Sequence, residues 1–565
     1  MIILGIANDE TASACLVKDA KVIAAASEER FTRIKMDNSW PENAISYCLD
    51  YAGITLDEVD IIAYGWSAGF NAETHLLPYF DRIVHEAQTN AGGLDIFRER
   101  IETEIEQDRK HRNEFWEFVK SNNLQGKAFA YDHHECHAYS AYSCSPFEKS
   151  LVVTADGRGD FMATTVGYVT PESTDFLYRG SSTDSFGFFY GRITGLLGYR
   201  PHRHEGKVTG LAAHGNPHKL LDRMREMIYV KEGRVYGKPG DFYRPFYTNY
   251  SDELEQLISE NSKEDVAAAA QYHLEESITD LVTYWVKQTG AEYVTMAGGV
   301  FANVRVNQCI MEIPGVKNVF IQPQMGDGGL CIGAAAAYLY ENGVSHIEMN
   351  DAYLGPDYDD ETIEKALISA SSHIQFEKME DASEEGVKAL ENNEVIGFYN
   401  GRMEFGPRAL CNRSIVYHCK DTTVNDWLNE RMDRTEFMPF APVTLEELAP
   451  RCYKNWKQEH IASKYMTITY NCTEEMAENC PATVHIDGTA RPQIINEQYN
   501  PKMYALLKAW YNTTGGLSLI NTSFNRHEEP IVNRPEEAID ALKSGMVDLL
   551  IIGNYIARKR HQEIR

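Results

Sequence analysis

Leu151-Val152-Val153-Thr154-Ala155-Asp156-Gly157-Arg158-Gly159-Asp160 is the stretch on which the fold turns. Five residues of strand composition run into an acidic, glycine-rich turn, Ala163 to Val169 reads as the returning strand, and Phe176 to Tyr178 reads as a third. The amino terminus repeats the pattern. Ile2 to Ala7 reads as a strand, Asn8 to Thr11 as a polar turn and Ser13 to Val17 as the next strand, followed by a Lys18-Asp19 turn and a strand at Val22 to Ala26. Two copies of strand, Asp-bearing turn and hairpin predict a duplicated α/β fold whose acidic turns face a shared cleft.

That arrangement is the actin-like ATPase architecture. Between the copies, Leu94 to Asn122 is densely charged, with Ile101, Ile105, Phe115, Phe118 and Val119 at helical spacing, which predicts an insert helix packing one apolar face. Asp265 to Lys287 reads as a core-facing helix marked by Ala268, Tyr272, Ile278, Leu281 and Trp285. A break follows Leu354, where Gly355-Pro356-Asp357-Tyr358-Asp359-Asp360 combines turn formers with negative charge. The boundary is set near residue 360, giving domains 1–360 and 361–565.

The chain has 565 residues, with 54 basic and 83 acidic side chains, hence a formal charge of −29. A general nucleic-acid binder needs the opposite balance, because phosphates are neutralised by surplus Lys and Arg. With 43% hydrophobic and 24% charged residues, disorder of the whole chain is excluded. Eleven cysteines include no Cys-x-x-Cys pair, and their odd number argues against a disulfide framework. Reduced thiols and the absence of a signal peptide or a 20-residue apolar run predict a cytoplasmic protein without a membrane span.

His133-His134-Glu135-Cys136-His137 follows a short apolar segment. If Asp132 caps a helix, His133 and His137 at i and i+4 share one face, which suits two imidazoles on one metal ion; surface or capping histidines are the competing reading. Asp156 and Asp327, the latter in Gly326-Asp327-Gly328-Gly329, each sit in a glycine-rich turn where a carboxylate can bind a cation while amides approach phosphate. Ordinary Asp-Gly turns would look the same. Gly157, and Gly298, Gly299 and Asn303 of Ala297-Gly298-Gly299-Val300-Phe301-Ala302-Asn303, are candidates for nucleotide contact. Cations stand beside glycine or acidic residues at Arg30, Arg33, Lys35 and Lys207. Arg402, Arg408 and Arg413 fall within twelve residues, with Arg434, Arg491, Ser523 and Asn525 downstream. Such side chains bind phosphate through charge-assisted hydrogen bonds, or form structural salt bridges.

Glu28-Glu29-Arg30-Phe31-Thr32-Arg33-Ile34-Lys35, the run from Asp132 to His137, Gly326-Asp327-Gly328-Gly329, Gly401-Arg402-Met403-Glu404-Phe405-Gly406-Pro407-Arg408-Ala409-Leu410, Pro439-Phe440-Ala441-Pro442, Asp487-Gly488-Thr489-Ala490-Arg491-Pro492 and Asn521-Thr522-Ser523-Phe524-Asn525 together resemble the O-carbamoyltransferase family of the NodU, CmcH and TobZ type. The resemblance implies a TsaD-like N-terminal domain of the actin-like (ASKHA) fold followed by a YrdC-like α/β domain. It implies that carbamoyl phosphate and ATP form carbamoyl-adenylate and pyrophosphate in the C-terminal domain, and that a hydroxyl of a small-molecule acceptor takes the carbamoyl group in the N-terminal domain, releasing AMP. By motif, His133, His137, Asp156 and Asp327 would hold a divalent ion, iron first, with magnesium also able to accompany ATP. Arg402, Arg408, Arg413, Arg434, Arg491, Ser523 and Asn525 would line the adenylate-forming site, and Glu10, Lys35, Lys207 and Arg408 are the candidate catalytic residues.

Three departures stand out. The family commonly has a His-Asp pair in the first turn, whereas this chain has Glu10-Thr11, and Asp9-Glu10-Thr11 resembles the TsaD-type string. Met432-Asp433-Arg434 stands where relatives carry Lys-x-Arg, and Cys411 replaces a usual glycine. The first departure motivates two alternatives, a tRNA threonylcarbamoyl transferase and a nucleotide-binding module with a degenerate transfer site. The charge of −29 and the full C-terminal motif set weigh against the tRNA enzyme.

Overall fold

The computed structural model describes residues 1–67, 79, 82–84, 93–240, 242–244, 250–434 and 438–560. The chain divides into two compact units, one of residues 1–24 and 38–349, the other of residues 25–37 and 350–565.

In the first unit, β1 (Ile2–Ala7), β2 (Ser13–Lys18), β3 (Lys21–Ser27, which leaves the unit after Ala24), β4 (Ile61–Tyr64) and β5 (Ala128–Ala130) form a sheet of order β3-β2-β1-β4-β5. β1 runs antiparallel to β2, pairing Ile2 with Lys18 and Ala7 with Ser13, and parallel to β4, which is parallel to β5. A second sheet uses β6 (Ser150–Gly159), β7 (Met162–Val169) and β8 (Thr174–Ser181), with β9 (Ile228–Lys231) and β10 (Arg234–Gly237) set apart as a hairpin. β11 (Tyr293–Ala297) and β12 (Asn318–Ile321) complete it in the order β12-β11-β6-β7-β8. Here β6 is antiparallel to β7 and parallel to β11, itself parallel to β12. Each sheet is therefore an antiparallel meander followed by two parallel strands, which is the duplicated actin-like topology.

The helices His133–Cys144 and Leu330–Glu341 pack on each other, the first against β6 and β11, the second against β1 and β4. Gly333 permits this approach: a Cβ there would lie 2.0 Å from the carbonyl oxygen of Cys136. The helix carrying His133 is thereby wedged against the helix that follows Asp327.

Two local expectations are corrected. Asp156 to Gly159 is not a turn, because β6 continues through it with a bulge, and the reversal falls at Asp160 and Phe161, both left-handed (φ 46° and 67°). The helix Gly93–Ser121 does not bury a purely apolar face. Phe97, Phe115 and Val119 are buried as an amphipathic reading expects, but so are Arg100, Glu104 and Asp108, while Ile105 is exposed. The i, i+4 spacing of those charges builds a polar seam that pairs internally, with Arg100 on Glu104 and Arg158 on Asp108.

The second unit is built on an eight-stranded mixed sheet. Its strands are β13 (Ile374–Lys378), β14 (Ile396–Tyr399), β15 (Arg413–His418), β16 (Ala441–Leu445), β19 (Gln493–Ile495), β20 (Ser518–Ser523), β21 (Leu549–Ile552) and β22 (Tyr555–Lys559), while β17 (Tyr470–Asn471) pairs with β18 (Thr489–Ala490) apart from it. The order is β13-β22-β21-β14-β15-β20-β16-β19, with β14–β21 and β16–β19 parallel and the other pairs antiparallel. The sequence reading did not anticipate that residues 25–37 belong here. Ala25 N–H donates to Leu354 (3.0 Å), and Arg33 donates to the carbonyls of Ile531 (2.9 Å) and Pro530 (2.8 Å).

All eleven cysteines are free and all but Cys309 are buried, as reduced core thiols would be. Among the described residues no helix is long and apolar enough to cross a membrane.

Candidate functional site

Asp132 caps the helix that begins at His133, its carboxylate accepting the N–H of Glu135 at 3.0 Å. One turn apart, His133 and His137 face Asp156 on the bulged end of β6 and Asp327 at the turn after β12. The ligand atoms of all four lie within 4.8 Å of one another. His137 Nε2 is 2.9 Å from Asp156 Oδ2 and 3.5 Å from Asp327 Oδ1, and His133 Nε2 is 3.6 Å from each of those oxygens. The spacing fits a common cation better than direct bonds, because His133 Nε2 and Asp327 Oδ1 are buried without a hydrogen-bond partner. Burial and the negative charges of Asp156, Asp9 and Glu10 push the Asp327 carboxyl well up, and a bound cation would relieve that crowding. Two imidazoles and two carboxylates suit a borderline divalent metal of the iron or zinc kind better than magnesium.

The cluster is held from behind. Asp160 Oδ2 accepts the N–H of His133 and of Ser67, both at 2.9 Å. Trp66 meets His133 edge-on at 4.7 Å, stacks on His111 at 4.9 Å and lies under the Arg158 guanidinium, whose charge is held by Asp108 at 2.7 Å. Gly159 is required by contact, since a Cβ would come within 2.1 Å of the His133 ring. His134 is no ligand: its Nδ1 lies 2.7 Å from Thr154 Oγ1, and burial beside His133 and His137 holds it down to about 3. Asp160, Asp108 and Trp66 were not singled out in the sequence reading. Asp160 stood in the quoted stretch, and Asp108 ends an Arg-x3-Glu-x3-Asp stripe.

The other first-unit candidates divide. Glu10 faces this region, and its Oε1 is 2.6 Å from His202 Nδ1. Lys207 is buried on the helix Glu205–Ala212. Gly298 donates its N–H to Met325 (2.6 Å), Gly299 opens the following turn, and Gly157 donates to Asp156 Oδ1 (2.6 Å). Asn303 caps the helix Val304–Met311 and exchanges bonds with the Gln271 amide at 2.8 and 3.2 Å, which commits it structurally.

In the second unit the loop from Gly401 to Arg413 is tied by two buried charges. Glu404 Oε1 accepts the N–H groups of Leu410 (2.7 Å), Asn412 (2.7 Å) and Arg413 (3.1 Å). Arg413 gives its donors to the carbonyls of Asn400, Gly401, Asn412 and Pro356 and stacks 3.7 Å over Tyr399. Arg402 likewise serves the carbonyls of Leu354 (2.5 Å) and Gly355 (3.3 Å). Cys411 sits in this loop at φ 76°, a left-handed conformation that favours glycine.

Arg434 donates from Nη2 to the side chain and carbonyl of Ser523 (2.9 and 2.8 Å) and of Asn525 (both 2.8 Å), and from Nη1 to Thr522 Oγ1 (3.0 Å). Lys35 belongs to the same unit, 3.9 Å from Glu29. Burial, with Arg30 and Arg434 nearby, lowers its ammonium despite Glu29. Arg408 is pulled down to about 10 by burial, and Arg491 is half-buried just after β18. Half-buried cations that crowd one another mark a place where an anion is welcome.

Residues 2–336 match the carbamoyltransferase N-terminus family model and residues 387–559 the carbamoyltransferase C-terminus model. Nodulation protein NolNO of Sinorhizobium fredii is 31% identical across 97% of this chain and 79% of its own length. The 3'-hydroxymethylcephem-O-carbamoyltransferase of Amycolatopsis lactamdurans is 26% identical, covering 76% of this chain and 80% of its own. Component A of the Acidaminococcus fermentans (R)-2-hydroxyglutaryl-CoA dehydratase, a solved structure, aligns with 61% of this chain and 99% of its own at 16% identity and a TM-score of 0.35. With family models covering both its N-terminal and its C-terminal parts, the chain belongs to the carbamoyltransferase family of enzymes.

Proposed function

We propose that this carbamoyltransferase is ATP-dependent and carbamoylates a hydroxyl of a small molecule in two half-reactions. In the second unit water cleaves carbamoyl phosphate to carbamate and inorganic phosphate, and a carbamate oxygen attacks the α-phosphate of ATP, giving carbamoyl-adenylate and releasing pyrophosphate. Lys35, Arg408 and Arg434 supply positive charge to the phosphates, with Ser523 and Asn525 orienting the Arg434 fork. Arg402 and Arg413 act indirectly, holding the loop that presents Arg408. In the first unit the acceptor oxygen attacks the carbamoyl carbon and AMP leaves. A divalent cation held by His133, His137, Asp156 and Asp327 would supply charge to a phosphate oxygen of the adenylate. The observation that carries this reading is the four-ligand cluster with its unpaired buried His133 Nε2 and Asp327 Oδ1, on a chain matched by both carbamoyltransferase models. The cephem relative's printed name, an O-carbamoyltransferase, supports oxygen as the accepting atom.

The test is incubation with ATP and carbamoyl phosphate and a panel of polyols, aminoglycosides and nucleosides, following nucleotide products and the mass gain of one carbamoyl group. AMP and pyrophosphate are expected only when carbamoyl phosphate is present; release of ADP overturns the scheme. Dependence on bicarbonate and threonine would instead identify the tRNA-type reaction.

A further inference from the structure

Independently of that scheme, we infer that Cys419 and Cys480 form a peroxide-sensitive dithiol that closes to a disulfide inside the second unit. No Cys-x-x-Cys spacing announces it, because the two residues come from separate segments, as do their neighbours Cys452 and Cys472. Cys419 follows β15, and its carbonyl accepts the N–H of Ala482 (3.1 Å), two residues beyond Cys480. Cys480 caps the end of the helix Glu474–Asn479, its N–H donating to Met476 (2.8 Å). At the start of the same helix, the N–H of its N-cap Thr473 donates to the carbonyl of Cys452 (2.9 Å), and Cys472 bridges Tyr453.

The thiols meet at Ser518, the first residue of β20. The Cys419 thiol reaches both the Ser518 carbonyl (3.3 Å) and the Cys480 sulfur, and the Ser518 hydroxyl lies 4.0 Å from the sulfur of Met476, one turn before Cys480. The bond from Cys419, with the N–H groups of Ser518 and Leu517, holds the Cys480 thiol below its ordinary range although burial opposes it. Burial pushes Cys419, Cys452 and Cys472 up instead. A nucleophilic sulfur beside a protonated one is the arrangement of an attacking and a resolving cysteine. Metal binding is the other use of gathered thiols, but among the described residues no cysteine belongs to a group of three or more ligand atoms within 4.8 Å of one another.

The step balances. The Cys480 thiolate attacks one oxygen of hydrogen peroxide, an S–O bond forms, the O–O bond breaks, and hydroxide leaves with the proton that Cys480 lost, giving water and Cys480 sulfenic acid. Cys419 then attacks that sulfur, the S–O bond breaks as the S–S bond forms, and the departing hydroxide takes the Cys419 proton. The pair of thiols gives up two electrons, and one peroxide is reduced to two waters. Cys480 is 1% exposed, so peroxide enters by local opening. The element above it is suited to that, because the helix Glu474–Asn479 has six residues and buries only Met476. The disulfide fastens the end of β15 to that helix and takes the Cys419 donor from the Ser518 carbonyl.

The experiment treats the reduced, desalted full chain with hydrogen peroxide at neutral pH, blocks the remaining thiols with a maleimide and maps the peptides by mass. The expected product has lost two hydrogens, carries a Cys419–Cys480 cross-link and regains both thiols in dithiothreitol. Cys480 is expected to react at least about 10-fold faster than Cys452 or Cys472. Cys419→Ser is expected to leave Cys480 as a sulfenic acid that dimedone captures, an adduct largely absent from the wild type, and Cys480→Ser to leave Cys419 reduced at the same dose. A link between other cysteines, loss spread evenly over the thiols, or a Cys480 that stays reduced overturns the inference. So does over-oxidation of Cys480 with Cys419 still a thiol. The wild-type map decides alone where a serine variant fails to fold.

Discussion

The two units treat charge in opposite ways. In the first, His133, His137, Asp156 and Asp327 converge from two strand ends and one helix, and two of the atoms aimed inward, His133 Nε2 and Asp327 Oδ1, are left without bonds. In the second, two of the most conspicuous charges of the loop 401–413, Arg413 and Glu404, are spent on its own backbone, one collecting carbonyls and the other N–H groups. Unpaired buried atoms that face one another leave room for a common ligand, whereas side chains that each bind several backbone groups hold a loop in place, although Arg413 Nε and Glu404 Oε2 also stay unpaired. An arginine-rich motif therefore differs from an arginine-rich site: Arg413 binds backbone carbonyls alone, whereas Arg434 binds the carbonyls of Ser523 and Asn525 together with their side chains.

The contrast breaks first, if it breaks, at the cluster. Asp327→Asn is expected to weaken metal binding by at least about 100-fold, the upper end of what even outer-shell partners contribute, measured as metal per chain after dialysis. Retention of a full equivalent would mean that the cluster is no metal centre. Arg434→Ala comes next: removing charge-assisted bonds worth about 1.5–3 kcal/mol should slow pyrophosphate formation about 10- to 100-fold while leaving metal content unchanged. Arg413→Lys sharpens the comparison, because it keeps the charge but loses the fork. It is expected to destabilise the second unit by about 2–3 kcal/mol in denaturant melts, again without loss of metal.

The smallest effect concerns pH. His202 titrates at about 9 when folded against 6.5 as an ordinary imidazole, so the Glu10–His202 contact stabilises the fold fully below about pH 6.5 and that contribution fades as pH rises through 9. Thermal melts of wild type and His202→Asn should converge above that range and differ below it, modestly, since the pair is partly exposed.

Much of this was legible in the residues themselves. The repeated hairpins showed because alternating apolar runs end in Asp and Gly, and the His133–His137 pair showed because Asp132 announces a helix start. The position of the first reversal was misread because Asp-Gly suggests a turn while β6 carries that dipeptide in a bulge. Arg413 and Asn303 were ambiguous in principle: a guanidinium or an amide binds a backbone carbonyl and a ligand oxygen through the same donors, and only the fold decides which arrives first. Nor could the sequence disclose that Arg100, Glu104 and Asp108 face inward, since a charged stripe is normally solvated.

The excursion of residues 25–37 into the second unit has a consequence for biosynthesis. Arg33 and the carbonyl of Ile531 that it binds are 498 positions apart, so at about 5–20 residues per second the segment leaves the ribosome roughly 25–100 s before its partner exists. The first unit therefore folds with this strap unclaimed, and the second cannot be completed until nearly the whole chain is made. A split of this enzyme at residue 350, natural by compactness, would strand Arg30, Arg33 and Lys35 on the wrong fragment, and a working two-piece version has to carry that strap with the C-terminal half.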